Sequence, residues 1–414
     1  MDQAQLFARL ARRIDSYRDQ VIELQRRLTA VPALSPKNGG DGETRKAEVL
    51  CGYLKDIGLG EIVVHRAPDP ELGPNGTRPN LVVRLPGADR SRTAWVMAHL
   101  DVVPPGDLKE WQSDPYEVRV DGDRIYGRGV EDNQQGLCSA VFAAKAFVDE
   151  GLTPPCDVGL LFVADEETGS DYGIAYLLKE QPSFFGPRDL IIVPDAGVPD
   201  GSQIEVAEKG ILWLKFTVQG QQTHGSTPEK GINAHRGAAH LVVALEELYR
   251  TFEARDPVFD PPISTFEPTK KEANVPNVNT IPGTDVFYYD CRVLPQYTIE
   301  QVEAEVAAVV RRIEAAHRVK VTVESPQRAA AAPPTPVDAP IVKLLAAAVG
   351  EVYAVKGQPM GVGGGTVAAH IRRQGRSVAV WSRMDETLHG PNEYCVLSYL
   401  LGDAKVFAHV FLHA

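Results

Sequence analysis

Short apolar runs alternate with longer helix-spaced patterns through the first half of the chain. "NLVVRLPG" (80–87), "TAWVMAHLDVVP" (93–104), "DVGLLFVADEETG" (157–169) and "DLIIVPDAG" (189–197) read as strands. They are apolar almost without interruption, as strands covered on both faces are. Between them "NQQGLCSAVFAAKAFVDEG" (133–151) carries helical spacing and ends on a glycine, the usual stop signal. Strands and helices in this alternation predict an α/β layered fold. The stretch "MDQAQLFARLARRIDSYRDQVIELQRRL" (1–28) mixes charge with apolar residues at helical intervals. It predicts one amphipathic surface helix and lacks the apolar core of a signal peptide.

After Gly210 the pattern changes. "ILWLKFTVQG" (211–220) alternates apolar and polar positions, as a half-exposed strand does. A helix (233–252), a Pro- and Asn-rich loop, a strand (284–295), a helix (299–317) and a strand (319–325) follow. With one more strand ahead of Ile281 this gives β-α-β-β-α-β, a ferredoxin-like α+β unit. The expected organisation is therefore an inserted domain at 211–326, flanked by parts 1–210 and 327–414 that form one larger domain. "RAAAAPPTP" (328–336) reads as the linker leading back.

Composition narrows the function classes. The net charge of −12 argues against nucleic acid or an anionic membrane as partner, since both favour a basic face. The five cysteines (Cys51, Cys138, Cys156, Cys291, Cys395) are scattered, with no C-x-x-C pair. That predicts free thiols in a reducing, cytoplasmic setting, not a disulfide frame or a structural zinc knuckle. No apolar stretch of the sequence approaches the length of a membrane span.

The chemistry gathers at strand ends. His99 and Asp101 stand two apart in "MAHLDVVP", so their side chains share a face of the strand. The spacing suits a metal-binding imidazole whose other nitrogen is held by a carboxylate. Asp132 lies in a glycine-flanked turn, "YGRGVEDNQQG", just ahead of a helix. Glu166 and Glu167 end the third strand, Asp195 ends the fourth, and His389 lies in "LHGPNEY". Ligands of open α/β sheets cluster at the carboxyl ends of strands, so these residues are expected to meet. Taken singly, His-x-Asp is an ordinary structural pair and Glu-Glu an ordinary solvated face; the ordered set is what points to metal. Asp132, Glu167 and Asp195 would bring −3 to two divalent ions, and His99 and His389 neutral nitrogens. Glu166 is then left free to handle protons. The other histidines (His65, His235, His240, His317, His370, His409, His413) read as structural or surface residues.

With these motifs in view, the chain resembles the cocatalytic zinc metallopeptidases and deacylases. That family includes aminoacylase, acetylornithine deacetylase, succinyl-diaminopimelate desuccinylase, glutamate carboxypeptidase and several dipeptidases. The resemblance covers nearly the whole chain and rests on "HLDVVP", "YGRGVED", "DEETGS", "VPDAG", "THGSTPEKGINA", "NVNTIPG", "DCRVLP" and "HGPNEY". It implies a mixed-sheet α/β catalytic domain of zinc-peptidase type, with the inserted ferredoxin-like domain acting as lid and making a homodimer. His99 and Asp195 would hold one metal, Glu167 and His389 the other, and Asp132 would bridge. Asp101 would orient His99, Glu166 would be general base and acid, and His224 would reach the substrate carbonyl. Asn279 and Arg292 would bind substrate, Arg292 as a carboxylate clamp through its planar fork. Gly364, Gly365 and Thr366, in "GVGGGTVAAHI", resemble the family's Gly-Gly-Thr loop. Relatives place a cis peptide after the bridging aspartate, here Asp132–Asn133. Zinc is the expected metal, with cobalt or manganese also suited to a carboxylate-rich site.

The chain departs from the family pattern at two places. Many relatives carry a lysine shortly after the bridging aspartate, where this chain reads Asn133-Gln134-Gln135. The usual Asp and Arg beyond the glycine loop are Ala368 and His370. Aspartate at 195 resembles the dipeptidases, whereas the overall pattern resembles the deacetylase and desuccinylase branch. The implied activity is hydrolysis of the amide of an N-acyl amino acid, a small substrate with a free carboxylate. The alternatives are a dipeptidase or carboxypeptidase acting on short peptides, and a catalytically dead relative that binds a metabolite or partner.

Overall fold

Eight strands form a mixed sheet in the order Glu61–Pro68, Thr77–Leu85, Cys156–Val163, Asp89–His99, Leu190–Gly197, Val378–Ser382, Gln203–Glu208, Gln358–Val362. The structure, a computed structural model, describes residues 2–414. The four central strands, from Cys156–Val163 to Val378–Ser382, run parallel. Every residue of Cys156–Val163 is buried, in keeping with its unbroken apolar run. Gly159 stands beside Trp95 because a Cβ there would come within 2.2 Å of the indole ring. The helix Gln134–Asp149 is buried along nearly its whole length and packs against the helix Leu397–His413.

The chain divides into two compact units. One comprises the chain up to Val206 with Thr335–Pro359 and Thr366–Ala414; the other comprises Ala207–Pro334 with Met360–Gly365. The second unit has a four-stranded antiparallel sheet in the order Thr265–Lys271, Thr284–Val293, Gly210–Gln219, Lys320–Ala329. Gly210–Gln219 alternates strictly, burying Leu212, Leu214, Phe216 and Val218 among Leu241, Val306 and Phe287. The helices Ala234–Leu245 and Ile299–His317 pack against each other on that face.

Three details differ from the sequence expectation. The single helix over 1–28 is two, Gln3–Asp15 and Arg18–Thr29. The Ser16 hydroxyl donates to the Arg13 carbonyl at 2.6 Å, competing with helix propagation. The break lets Tyr17 turn inward, 1% exposed, to donate to Asp149 at 2.7 Å. Lys320–Ala329 carries pairing into the run read as linker, past an irregularity between Glu324 and Gln327. Met360–Gly365, grouped by sequence with the flanking domain, belongs to the second unit. There Gly361 donates to the Val258 carbonyl at 2.7 Å, and a Cβ on it would strike the Phe259 ring.

The helix Leu397–His413 carries a titration signal. His409 stacks on His413 at 4.0 Å and meets Phe7 edge-on, and its Nδ1 is buried without a partner. Burial, then the neighbouring His413, lower its imidazole to about 4, below the ordinary 6.5 of the unfolded chain. The unfolded chain therefore binds more protons between those values, so stability is full above about 6.5 and declines as pH falls toward 4. His409→Leu is expected to remove on the order of 1 kcal/mol of that decline, allowing for solvent screening. Urea midpoints at pH 7.5 and 5 read it; equal declines in both proteins would assign the acid sensitivity to other groups.

Candidate metal centre

Parallel strands bring their carboxyl ends to one edge of the sheet, and the candidate ligands sit on that edge. His99 is the last residue of its strand and pairs in register with Val163. Three residues after Val163 the chain enters the turn Glu166–Thr168; Asp195 lies near the end of the next strand, and His389 follows Val378–Ser382. Asp132 precedes the helix Gln134–Asp149, and the Asp132–Asn133 peptide is cis.

His99 Nε2 is 2.9 Å from Asp132 Oδ1 and 3.4 Å from Asp195 Oδ1. His389 Nε2 is 3.1 Å from Asp132 Oδ2 and 3.2 Å from Glu167 Oε2. Asp132 thus turns one oxygen to each imidazole. Among the described residues, His99-Asp132-Asp195 and Asp132-Glu167-His389 are the two groups of three whose ligand atoms lie within 4.8 Å of one another.

These residues fit a pair of cations on three observations. The Nδ1 of His99 is 3.0 Å from the Asp101 carbonyl, which can only accept, so Nδ1 carries the hydrogen. The Nε2 lone pair then faces carboxylate oxygens, a contact relieved only by a proton or a metal. The second observation is that Glu167 Oε1 is buried without a hydrogen-bond partner, as an oxygen reserved for a ligand would be. The third is the electrostatics. Burial disfavours charge on His99, yet Asp101, Asp132 and Asp195 outweigh it and hold the imidazole well above its ordinary value. Hydrogen bonds donated to the carboxylates of Asp132 and Glu167 raise His389 to about 10. Burial, then Asp195, push the Glu166 carboxyl well up, and burial raises that of Glu167. The site is a well of negative charge with nitrogen donors facing in.

Asp101 does more than the spacing suggested. Its carbonyl is the closer partner of His99, and its carboxylate stands 3.5 Å from Nδ1. The two carboxylate oxygens accept instead from the main-chain N–H of Glu166 and of Glu167, each at 3.0 Å. Asp101 therefore ties the tandem glutamates to the strand end carrying His99.

Several buried residues that sequence reasoning passed over shape the site. Glu393 accepts from the N–H groups of Gly129, Glu131 and Asp132 at 3.0–3.1 Å and from Arg128 Nη1 at 2.6 Å. Arg128 Nη2 donates in turn to the carbonyls of His389 and Gly390. Glu131 accepts from Asp385 and Thr387 of the same loop. The Asp132 turn and the His389 loop thus exchange carboxylates. Behind Glu166 and Glu167, Asp165 takes a left-handed φ of 63° and its N–H donates to Glu43. Glu43 pairs with buried Arg78, which also meets Asp69 at 3.3 Å and Asp165 at 3.6 Å. Asn133 Nδ2 donates to Asp195 Oδ1 at 2.6 Å, and Gln135 Nε2 to Asp403 and Ser382. The only sequence signal for Arg128 and Glu393 was their place inside "YGRGVED" and "HGPNEY".

The substrate-side candidates divide between the units. His224, Asn279, Arg292, Gly364 and Gly365 belong to the second, Thr366 to the first. His224 is exposed, pairs with Thr280, and its Nδ1 lies 2.7 Å from Ser226 Oγ; Gly225 N–H donates to the Asn279 carbonyl. His224 and Asn279 are therefore brought together. Arg292 already has its fork on Asp290, at 2.6 and 2.8 Å, with Nη1 on the Gly363 carbonyl at 2.7 Å. A substrate carboxylate would have to compete with Asp290 for it. Thr366 accepts from the Ala368 N–H at 3.2 Å.

Residues 95–413 match the description "Peptidase family M20/M25/M40". An uncharacterized metallohydrolase of Methanococcus maripaludis is 37% identical over 413 residues, covering 95% of this chain and 98% of that one. A succinyl-diaminopimelate desuccinylase of Gluconacetobacter diazotrophicus is 28% identical over 396 residues, covering 94% and 95%. Human carnosine dipeptidase 1 has the same fold, with a TM-score of 0.72 at 18% identity over 98% of both chains. With a matched span of this length and a set of acids and imidazoles at the strand ends, the chain belongs to peptidase family M20/M25/M40 and is related to its metallohydrolases.

Proposed function

We propose that the protein hydrolyses the amide bond of an N-acyl amino acid, using two divalent metal ions, zinc first among them. The observation that carries this reading is the shared carboxylate: Asp132 offers one oxygen to each of two ligand groups, with Glu166 adjacent and outside both. His99 and Asp195 would hold one ion, Glu167 and His389 the other, and Asp132 both. When bound, the ions would polarise the scissile carbonyl and make water acidic enough to attack near neutral pH. Glu166 would take the proton from water and hand it to the leaving nitrogen, which requires a carboxylate not spent on coordination. The desuccinylase relatives support an acyl substrate. Aspartate at 195 favours a second reading, a dipeptidase. Side-by-side assay of acylated amino acids and dipeptides on metal-supplemented protein separates the two. Turnover of neither series would leave a binding protein.

We assign His224 to the oxyanion that develops on the substrate carbonyl, and propose that a homodimer forms through the second unit. His224→Ala is expected to cost roughly 10²–10³ in kcat with little loss of metal. If a second copy supplies the histidine, mixing inactive Glu166→Gln and His224→Ala chains should restore activity, since a mixed dimer holds one site with both residues. No recovery after confirmed subunit exchange would assign His224 to its own chain or remove it from the chemistry.

A further inference from the structure

At the amino ends of the central strands, opposite the carboxyl-end edge, three arginines line a cavity of about 310 Å³. Arg92 lies near the start of Asp89–His99, Arg188 just ahead of Leu190–Gly197, and Arg376 just ahead of Val378–Ser382. Arg92 makes no hydrogen bond or ion pair among the described residues, and its Nε is closed off from solvent with no acceptor. Arg188 donates to the carbonyl and hydroxyl of Ser91, and Arg376 Nε to the Phe185 carbonyl at 3.0 Å.

No carboxylate pairs with any of the three. Asp189 lines the same cavity, but its oxygens accept from Thr93 N–H, Trp95 Nε1 and Gly186 N–H at 2.8–2.9 Å. Asp89 is exposed and turned to Ser91. The neighbouring Arg90 shows the contrast, since it does have a partner, Asp157, at 2.8 Å. Three guanidinium groups without a carboxylate hydrogen bond, balanced around the cavity only by Asp189 and at longer range by Asp89, are unusual in a chain of net charge −12. Their mutual repulsion exceeds what the one lining carboxylate, already engaged by three other donors, offsets, and a further anion between them would relieve it. Pro340 and Ile341, the first turn of the helix Pro340–Tyr353, form another wall. That end of a helix adds partial positive charge.

We propose that this cavity binds a small multivalent oxyanion, phosphate or a phosphate ester. Planar guanidinium forks match tetrahedral oxyanions with paired hydrogen bonds, and the buried Arg92 Nε supplies a donor already stripped of water. Its placement gives it a line to the candidate metal centre, because the strands Asp89–His99 and Leu190–Gly197, which begin beside Arg92 and Arg188, carry His99 and Asp195 at or near their other ends.

The test is calorimetric titration of the metal-loaded protein with pyrophosphate and with inorganic phosphate at constant ionic strength. Pyrophosphate can also engage the metals, so wild type is compared with Arg92→Gln/Arg376→Gln and Arg92→Gln/Arg188→Gln. Each double variant is expected to lose one binding component, weakened about tenfold or more, with turnover in phosphate-free buffer unchanged. Arg92→Lys, which keeps the charge but not the fork, should fall between. Identical isotherms in wild type and both double variants would place all binding elsewhere and overturn the proposal. So would absence of saturable binding in the millimolar range. Equal affinity for citrate with the same arginine dependence would overturn the phosphate assignment in favour of carboxylates.

Discussion

Replacing Glu166 by glutamine is expected to lower kcat by at least about 10²–10⁴-fold, the range typical of losing acid–base catalysis. Both metals should stay bound, because Glu166 stands outside the two ligand groups. Its main-chain N–H, held by Asp101, is unaffected by the exchange, so the turn should keep its shape. The amide is close in size to the carboxylate but cannot accept a proton from water. Glu167→Gln offers the control: it alters a candidate ligand in contact with His389, so metal content should fall along with rate. Metal analysis and kinetics on both variants separate the two glutamates. Near-normal turnover in Glu166→Gln would place the base elsewhere.

Arg128→Met should damage the site without touching a ligand. Arg128 and Glu393 form an ion pair with both side chains at most 1% exposed, and removing one partner of a buried pair costs about 3–5 kcal/mol. For a domain of this size that is on the order of 10 °C in Tm. The effect should reach metal affinity, because Arg128 also holds the His389 and Gly390 carbonyls. A loss of roughly 10–100-fold is expected, in the range seen when groups behind metal ligands are removed. Chelator competition measures it independently of turnover. An unchanged affinity together with a lowered Tm would confine the pair to stability.

The candidate ligands were legible in the sequence because His99, Glu167 and Asp195 sit where an apolar run stops and Asp132 and His389 beside glycines, and charge or imidazole at such points has few ordinary reasons. His99, Asp132, Glu167, Asp195 and His389 needed only the periodicity and the motifs. What holds them was not legible. Glu393 acts on main-chain N–H groups far away in the chain, and a main-chain partner leaves no trace in residue identity. Asp101 was read through its spacing from His99, yet its carboxylate serves the amides of Glu166 and Glu167, a partnership between segments that periodicity cannot show. The break after Asp15 escaped for a related reason: a serine inside an amphipathic pattern is tolerated unless a neighbour such as Tyr17 has a deep place to go. Arg292 looked free as a clamp, and Asp290, two positions before it on the same face of a strand, occupies its fork.

The distribution of the candidate ligands along the chain sets an order of assembly during synthesis. His99, Asp132, Glu167 and Asp195 all precede the second unit, and His389 follows it. At about 5–20 residues per second, translation exposes the first four some tens of seconds before the fifth. Throughout that interval Asp132 lacks His389, and the amides around it lack Glu393. If the two candidate groups each hold a cation, one captured by the growing polypeptide meets the His99-Asp195 position first. The His389-Glu167 position is completed only once the segment carrying His389 has been made, so its occupancy would be the later step and the one more exposed to metal scarcity.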